Sequence, residues 1–203
     1  NIILNCKYTD KCVIKNETNP LNYPSDVIIY DDITNIDSEL CSNNNDITLD
    51  DYYQNYINSE MNTNNNICCR GSHSCSNIGL TPINALNVLC SGTSTCNDIT
   101  INKIDGSIYC MGDQTCAHID IYATKDVYCV GHTSCIHSNI YNANNLYLSG
   151  GSNSGEMNII GVENIYLMNY YVSPLYIESS NNLNVYLLSD NGNSILTSIN
   201  ITC

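Results

Sequence analysis

The sequence contains no phenylalanine and no tryptophan, so its large aromatic side chains are all tyrosines, 16 in a chain of 203 residues. Basic residues are almost as scarce: six Lys and Arg stand against twenty Asp and Glu, which gives a formal net charge of −14. Nucleic acids and anionic membrane surfaces attract basic patches, so this balance argues against both as partners. No stretch approaches the roughly 18 uninterrupted apolar residues of a membrane span, which argues against membrane insertion.

The beginning of the sequence also lacks something. The chain starts at Asn1, with neither an initiator methionine nor a recognisable secretory leader. It is therefore expected to be a processed protein or a part of a longer chain. Its length is sufficient for one domain.

What the sequence has in excess is cysteine, and most of its thirteen cysteines fall in one repeated phrase. The pattern Cys-x-Gly-x-x-[Ser/Thr]-Cys occurs four times, beginning at Cys69, Cys90, Cys110 and Cys129. Successive copies therefore start 21, 20 and 19 residues apart. A period near 20 residues indicates a solenoid, in which each repeat is one coil that buries its apolar face only against its neighbours.

Short segments of alternating apolar and polar residues flank each copy and continue beyond the last one, as in Val88-Leu89-Cys90 and Ile99-Thr100-Ile101. Alternation with period 2 turns one face of each strand inward, and equivalent strands of successive coils then stack about 4.8 Å apart. The sequence thus predicts an all-β fold, a parallel β-helix of about 20 residues per coil, right-handed because parallel crossovers almost always are. Asparagine suits its corners, since it tolerates left-handed backbone and its amide can pair with copies above and below.

This single domain divides into four parts. Residues 1–30 are predicted to form an irregular first coil, residues 31–66 an acidic insertion, residues 67–145 the disulfide-bonded coils, and residues 146–203 coils without disulfides. In the insertion, apolar residues fall at helical spacing behind Thr48 as N-cap, which predicts a short helix near residues 48–61. The acidic residues of the insertion favour a solvated face, and a calcium site is the alternative, although the EF-hand spacing is missing. The carboxylates concerned include Asp31, Asp32, Asp37, Glu39, Asp46, Asp50 and Asp51.

Each coil of the repeat has either both cysteines of the phrase or neither of them. In the coil after Cys135 their places are taken by Leu148 and Ser154, which indicates that each pair bonds within its own coil. The predicted disulfides are Cys69–Cys75, Cys90–Cys96, Cys110–Cys116 and Cys129–Cys135, together with Cys6–Cys12, which repeats the spacing without the glycine. Cys41 is predicted to pair with Cys68. Cys203 is then left for a bond to another chain or to residues beyond this segment.

The predicted disulfides indicate in which cellular compartment the protein resides. Reduced core cysteines in a cytosolic protein are the alternative, while a structural zinc site is disfavoured because Cys-x5-Cys is not the usual knuckle spacing. Disulfides persist in oxidising surroundings, so a secreted protein of the cell surface or wall is expected. Asn16 and Asn200 begin Asn-x-Thr patterns and are candidate glycosylation sites.

A column of tyrosines is the first candidate functional feature. Successive strands carry Tyr109, Tyr128, Tyr147, Tyr166 and Tyr186, spaced 19 or 20 residues apart. Their neighbours in each strand are apolar and point inward by alternation, so the tyrosines are expected to form an exposed ladder on the outer face. Such a ladder is a stabilising stack, a contact for another subunit, or a platform for sugar rings.

The ends of the solenoid are the second feature. A terminal coil without a cap exposes unpaired backbone, and the sequence shows no capping element before Cys203. The chain opens on a ready strand, Asn1-Ile-Ile-Leu-Asn5. A last coil that accepts the first coil of the next molecule would generate a filament. A cap outside this segment is the alternative.

Catalysis has little support, and the chain is not expected to be an enzyme or to need a cofactor. A glycan hydrolase needs a pair of carboxylates. Asp98 and Asp120 occupy nearly adjacent places in successive coils, but nothing else singles them out. His118 and His137 recur at the same place after the second cysteine. They make a two-histidine metal site conceivable, although exposed histidines without a metal are the simpler interpretation.

The repeat resembles the cysteine-rich β-helix coils of surface and wall proteins in protists, including cyst-wall lectins, where a Cys-x-Gly-x-x-Ser-Cys phrase recurs. The resemblance is strong over residues 67–145 and weak over residues 146–203. It implies an extracellular location and a structural or glycan-binding role. We therefore expect a structural subunit of an extracellular fibre or wall that assembles head to tail. A carbohydrate-binding module that uses the tyrosine column is the second hypothesis, and a polysaccharide-degrading enzyme is the third.

Overall fold

The chain folds into the predicted β-solenoid of parallel strands. The computed structural model describes residues 2–5, 12–17, 40–42, 47–50, 64–76, 83–122, 125–150, 155–168, 174–179, 182–188 and 198–202. Within these ranges no helix is long and apolar enough to cross a membrane.

The described residues contain seventeen strands that form two parallel sheets. The strands are β1 (Ile2–Asn5), β2 (Cys12–Glu17), β3 (Ile47–Asp50), β4 (Ile67–Ser72), β5 (Ile83–Ala85), β6 (Val88–Thr93), β7 (Thr100–Ile104), β8 (Ser107–Asp113), β9 (Asp120–Tyr122), β10 (Asp126–Val130), β11 (Asn139–Tyr141), β12 (Asn145–Ser149), β13 (Met157–Ile160), β14 (Asn164–Met168), β15 (Leu175–Glu178), β16 (Leu183–Leu188) and β17 (Ile199–Thr202). Sheet A has the order β1-β17-β15-β13-β11-β9-β7-β5, and sheet B has the order β2-β16-β14-β12-β10-β8-β6-β4-β3.

Alternation of side chains explains why these segments are strands. In β15, Leu175 and Ile177 are buried while Tyr176 and Glu178 are exposed. Register is preserved from coil to coil, so that inward residues stack on inward residues, as Ile140 does between Ile121 and Ile159. The interior formed in this way is one continuous apolar cluster that includes the bonded cysteines. Each fully buried Ile, Leu or Val contributes roughly 1.5–3 kcal/mol of burial free energy.

The corner after sheet B explains the glycine of the repeated phrase. Gly92, Gly112 and Gly131 have φ angles of +126°, +136° and +133°. A Cβ on any of them would lie 2.1–2.3 Å from the carbonyl oxygen of the glycine one coil below. The column continues to Gly150, in a coil that has lost its cysteines, so the glycine serves the backbone path and not the disulfide.

Beyond the glycine the corner uses left-handed backbone at alternate residues. The second cysteine of each phrase has a φ between +54° and +56°, as in Cys96 and Cys116. Hydrogen bonds between coils hold this conformation, since the Cys96 amide donates to the Ser74 carbonyl at 2.9 Å and the Cys116 amide donates to the Thr95 carbonyl at 2.9 Å. Left-handed backbone costs about 1 kcal/mol or more for such residues, and the hydrogen bonds offset part of that cost.

Two predicted segments differ from the structure. The helix predicted near residues 48–61 is wrong at its start, because Ile47–Asp50 form strand β3, in which Ile47 and Leu49 pair with Ile67 and Cys69 of β4. Their alternation with polar residues fits the strand period better than the helix period. Residues 51–61 lie outside the described residues.

The predicted first coil is also placed differently. Strands β1 and β2 do not begin the solenoid but cover its other end, where β1 pairs with β17 and β2 pairs with β16. The last coil of the repeat is therefore not open in this chain. The complementarity expected between the opening strand and the last coil is present, with Ile2 opposite Ile199 and Leu4 opposite Ile201, but it joins strands of one chain.

Candidate functional site

The four within-coil disulfides form as predicted, Cys69–Cys75, Cys90–Cys96, Cys110–Cys116 and Cys129–Cys135. All eight cysteines are fully buried in the interior. The predicted Cys41–Cys68 bond also forms, and it ties residues 40–42 to the outer face of β4. We refer to the four within-coil bonds as staples.

The predicted Cys6–Cys12 disulfide is wrong, because Cys12 carries a free thiol. In each staple the second cysteine occupies the left-handed corner behind the glycine, whereas Cys12 begins strand β2, opposite Leu183. The spacing of the phrase is present, but Cys12 lies in a strand and not in a left-handed corner. Partial burial raises the pKa of the Cys12 thiol above its usual value. Cys6 and Cys203 lie outside the described residues.

The tyrosine column stacks as predicted on the outer face of sheet B. Ring centroids of successive tyrosines from Tyr109 to Tyr186 are 4.5–4.8 Å apart, with interplanar angles of at most 12°. The column ends at Lys15, whose ammonium lies 4.8 Å from the Tyr186 ring centroid and 3.3 Å from its hydroxyl oxygen.

The prediction that this column is exposed is wrong. Tyr128, Tyr147 and Tyr166 retain only 5%, 2% and 8% of their accessible surface, and the outer pair is partly buried. They belong to a second apolar cluster on the outer face of sheet B, which includes Met111 and against which Cys41 packs. Sugar rings cannot reach faces that are already stacked and covered. The column is therefore a second core, and it stabilises the fold.

Burial of the column has a consequence at alkaline pH. Desolvation, opposed by a hydrogen bond from Ser107 and aided by the nearby Asp126 charge, raises the pKa of Tyr109 above its usual value of 10.0. The unfolded chain then ionises first as the pH rises, so stability is complete below about pH 10 and falls between pH 10 and the folded-state pKa.

We therefore expect a Tyr109→Phe variant to lose stability less steeply above about pH 10 than the wild-type protein. Guanidinium unfolding at about pH 8, 10 and 11 measures both slopes. The two proteins should be within about 0.5 kcal/mol of each other at pH 8. Parallel slopes above pH 10 would contradict the assignment.

A ladder of amides runs along the corner that precedes sheet B, as expected for asparagine. Asn145 donates to Asp126 at 2.6 Å, Asn164 donates to Asn145 at 3.0 Å, and Asn184 donates to Asn164 at 3.0 Å. Each amide satisfies the residue one coil below, so this ladder is structural and keeps few polar groups for a ligand.

The outer face of sheet A is different, because its ladder is interrupted. Asn139 donates to Asp120 at 2.7 Å and Asn158 donates to Asn139 at 2.8 Å. In the next coil the equivalent position is Tyr176, and asparagine returns at Asn200. Among the described residues, the ladder therefore stops with an Asn158 oxygen that accepts no hydrogen bond.

The neighbouring column of sheet A changes at the same place. Tyr122 and Tyr141 stack with ring centroids 4.5 Å apart and an interplanar angle of 3°. The next two coils carry Ile160 and Glu178 instead of a third ring. Burial, together with the neighbouring Tyr122 and Asp120, raises the pKa of Tyr141 above its usual value, so its hydroxyl stays neutral at physiological pH.

These two changes open a groove of about 370 Å³ on the outer face of sheet A. We call it the sheet-A groove. It is lined by Asn139, Tyr141, Asn158, Ile160, Tyr176, Ile177, Glu178, Asn200 and Thr202. Of these only Asn200 was a predicted site residue, as a glycosylation acceptor. The other residues could have been found by aligning the coils, because two neighbouring columns change identity there. Over five successive coils one column reads Asp-Asn-Asn-Tyr-Asn and the next reads Tyr-Tyr-Ile-Glu-Thr.

The carboxylates nominated for catalysis are not brought together as a pair. Asp98 stands in the corner, in the same column as His118, whereas Asp120 lies in β9 and accepts a hydrogen bond from Asn139. The partner of Asp120 one coil below is Thr100.

The two histidines stack as predicted, but their geometry does not suit a metal. Their ring centroids are 4.9 Å apart with an interplanar angle of 15°. The nitrogen lone pairs of His118 and His137 therefore lie in two nearly parallel planes and do not converge on one ion. In the described part of the chain, the groups of three ligand-type side chains close enough for one ion are all cysteines. They are Cys69, Cys75 and Cys96, and Cys110, Cys116 and Cys135, and each is already bonded in a staple.

Most of the remaining predicted site residues lie outside the described residues. The candidate calcium ligands of the insertion lie outside the described residues, except Asp50, whose backbone belongs to β3. Of the two candidate glycosylation sites, Asn16 is in β2 and Asn200 is in β17, where it lines the sheet-A groove. Their glycosylation stays a prediction.

Comparisons of this chain with protein-family models, with curated proteins and with solved structures find no match. The class of protein is therefore defined by the fold alone, as a disulfide-stapled parallel β-solenoid.

Proposed function

We propose that this protein is an extracellular structural subunit that assembles end to end, and that strands β1 and β2 form the joint. One observation carries the proposal. The first two strands of the chain complete the sheets at one end of the solenoid, while the next strand, β3, lies at the opposite end of sheet B. The unit that seals the last coil is therefore not a neighbour of that coil along the sequence.

A long connection in the sequence links strands β1 and β2 to the rest of the chain. The Cys41–Cys68 disulfide anchors the chain at the far end, next to β4. Seven strand spacings separate β2 from β4 in sheet B, which corresponds to roughly 34 Å. The 22 residues between Glu17 and Leu40 can span at most about 75 Å. The connection is long enough for β1 and β2 to seal either their own last coil or that of another molecule.

Exchange between molecules would preserve every strand pair and create no new type of contact. The β1–β17 and β2–β16 pairs would join two chains, and the cost would be the association entropy, which concentration offsets. Such a contact is heterologous, and it repeats without closing, so it generates a filament. The net charge of −14 opposes sideways clustering of the filaments. The staples fit an oxidising, extracellular setting.

An engineered disulfide across the joint tests this proposal. Val13 is opposite Asn184 in the β2–β16 register, and neighbouring strands bring such residues within disulfide range. We expect a Val13→Cys, Asn184→Cys protein, in a Cys12→Ser background, to give a ladder of covalent multimers when it is oxidised at high concentration. Non-reducing electrophoresis measures the ladder, and reduction should collapse it to monomer.

The Val13→Cys variant in the same background is the matched control, because one new thiol can give dimers but no ladder. If the double variant yields only internally cross-linked monomer at about millimolar concentration, the joint closes within one chain and the proposed assembly is wrong.

A further inference from the structure

The strongest feature that end-to-end assembly does not use is the sheet-A groove. From its lining we infer that this groove is a binding site for a sugar ring of a neutral glycan. The groove includes Asn200 and Thr202 of β17, which pairs with β1 at the joint. The inference does not depend on the proposed assembly, because β17 has a β1 strand beside it whether that strand comes from its own chain or from another.

Two tyrosines form the walls of the groove. One face of the Tyr141 ring stacks on Tyr122 one coil below, and Tyr141 itself lines the groove. Tyr176 is 41% exposed and lies two coils further on, in β15, in the neighbouring column of Asn139 and Asn158. Two strand spacings amount to about 9.6 Å. The coil between them presents the smaller Asn158 and Ile160, which form the floor.

A gap of that size accepts one ring. Atoms that pack on an aromatic face lie about 3.5–4 Å from it. The two coil spacings between the tyrosines, about 9.6 Å along the solenoid, therefore leave room for a single saturated ring between the Tyr141 column and the Tyr176 side chain. The volume of about 370 Å³ is within the range of small-ligand sites. A pyranose offers C–H groups on its faces, which suit the negative faces of tyrosine rings.

Polar groups surround the same gap, and in the described part of the chain they have no partner. Asn158, Asn200 and Glu178 line the groove at the break in the ladder, and among the described residues no hydrogen bond is made to the Asn158 oxygen, the Asn200 amide or the Glu178 carboxylate. Amides and a carboxylate provide both donors and acceptors at short range, which matches the adjacent hydroxyls of a sugar. In the long ladder of sheet B, by contrast, the side-chain oxygens of Asn145 and Asn164 each accept a hydrogen bond from the next coil.

Charge selects a neutral glycan over an acidic one. The groove lining contains one carboxylate and no basic residue, on a chain of net charge −14. An anionic polymer would bring its charge next to Glu178 without a compensating cation. A neutral sugar has no such cost, and it keeps the hydrogen-bond capacity of the carboxylate.

The test is a binding assay with defined oligosaccharides. The probes are cellotetraose, mannotetraose, galactotetraose and chitotetraose as neutral glycans, and tetragalacturonate as the acidic one. The protein should be produced without N-glycosylation, because a glycan on Asn200 would itself fill the groove. We expect at least one neutral tetrasaccharide to bind, and tetragalacturonate not to bind, when titrations are followed by calorimetry.

Variants of exposed residues locate the site without disturbing the core. Tyr176→Ala is expected to weaken binding about tenfold or more, whereas Tyr176→Phe retains it because the ring face remains. Leu86→Ala is the matched control, since Leu86 is equally exposed at 43% but lies outside the groove. Glu178→Gln should change the affinity for a neutral sugar only a few-fold, but it would abolish binding of a cationic ligand.

Three results would overturn the inference: no binding of any neutral tetrasaccharide up to about 10 mM, equal loss in Leu86→Ala and Tyr176→Ala, or tighter binding of tetragalacturonate than of the neutral probes. Tyr176, Glu178 and Leu86 are all exposed, so we expect their replacement to leave the fold intact. Thermal unfolding of each variant checks this. A failed glycan test leaves the cross-linking result at the joint unaffected, so the two proposals can fail separately.

Discussion

Replacing Gly112 with alanine is expected to destabilise the solenoid by more than about 3 kcal/mol, a large part of the stability of an ordinary domain. Two costs combine. The φ of +136° belongs to a region that side-chain-bearing residues rarely adopt, and the added Cβ would lie 2.2 Å from the carbonyl oxygen of Gly92. That oxygen is backbone, so the clash is relieved only if two coils separate. Guanidinium unfolding followed by circular dichroism measures the loss.

Thr93→Ala is the matched control for the glycine column. Thr93 follows Gly92 at the same corner, is exposed, and pairs with Asp113 in the register of the next coil. Its replacement should change stability by no more than about 0.5 kcal/mol. An unfolding midpoint of Gly112→Ala that equals the midpoint of Thr93→Ala would show that the corner can adapt, and that the repeated glycine has another cause.

The features that could be predicted from the sequence are those set by one coil and its immediate copies. The period near 20 residues predicts the stacking, and stacking aligns Tyr128 with Tyr147 and His118 with His137, as the ring distances show. The joint loss of both cysteines after Cys135 predicts bonding within a coil, because a bond between coils would leave single cysteines behind. These inferences need only the spacing and the period of a strand.

The errors arise where distant parts of the chain meet. Alternation correctly places Tyr147 on the outer face of its strand, but it does not report whether another part of the chain covers that face, and Tyr147 is only 2% exposed. In the same way, sequence order suggests that β1 starts the solenoid, whereas β1 pairs with β17 at the other end, with Ile2 opposite Ile199 in the register. A local sequence pattern shows which face of a strand is apolar. It does not show which other part of the chain packs against that face.

The sheet-A groove was missed for a related reason. No motif marks it, and each of its residues is ordinary in its own strand. It becomes visible only when the coils are aligned in register, because Tyr176 then interrupts an asparagine ladder and Ile160 interrupts a tyrosine stack at neighbouring positions. Stacking between coils favours identical residues within a column. A position where two adjacent columns change together is therefore a candidate functional site, because the stacking alone does not require the change.

Reduction of the four staples is expected to have the largest effect on stability. Each staple joins cysteines six residues apart, and a closed loop of that size contributes roughly 2 kcal/mol by limiting the unfolded chain. If the four contributions add, the total is about 8 kcal/mol, which is comparable with the whole stability of a domain. Full reduction also breaks the Cys41–Cys68 bond, which adds to the loss. We therefore expect the fully reduced protein to unfold at a far lower guanidinium concentration, or without denaturant.

The experiment must separate lost bonds from lost packing. All eight sulfur atoms are buried, so reduction should be carried out in denaturant, verified by thiol counting, and followed by refolding with reductant present. A Cys129→Leu, Cys135→Ser variant copies the residues of the next coil and removes one staple while Leu148-like volume fills the interior. It should lose roughly 2 kcal/mol, whereas Cys129→Ala, Cys135→Ala should lose more because a cavity remains. If full reduction leaves the midpoint unchanged, the inward apolar columns alone hold the coils, as they do around Leu148 and Leu167, and the staples serve a purpose other than stability.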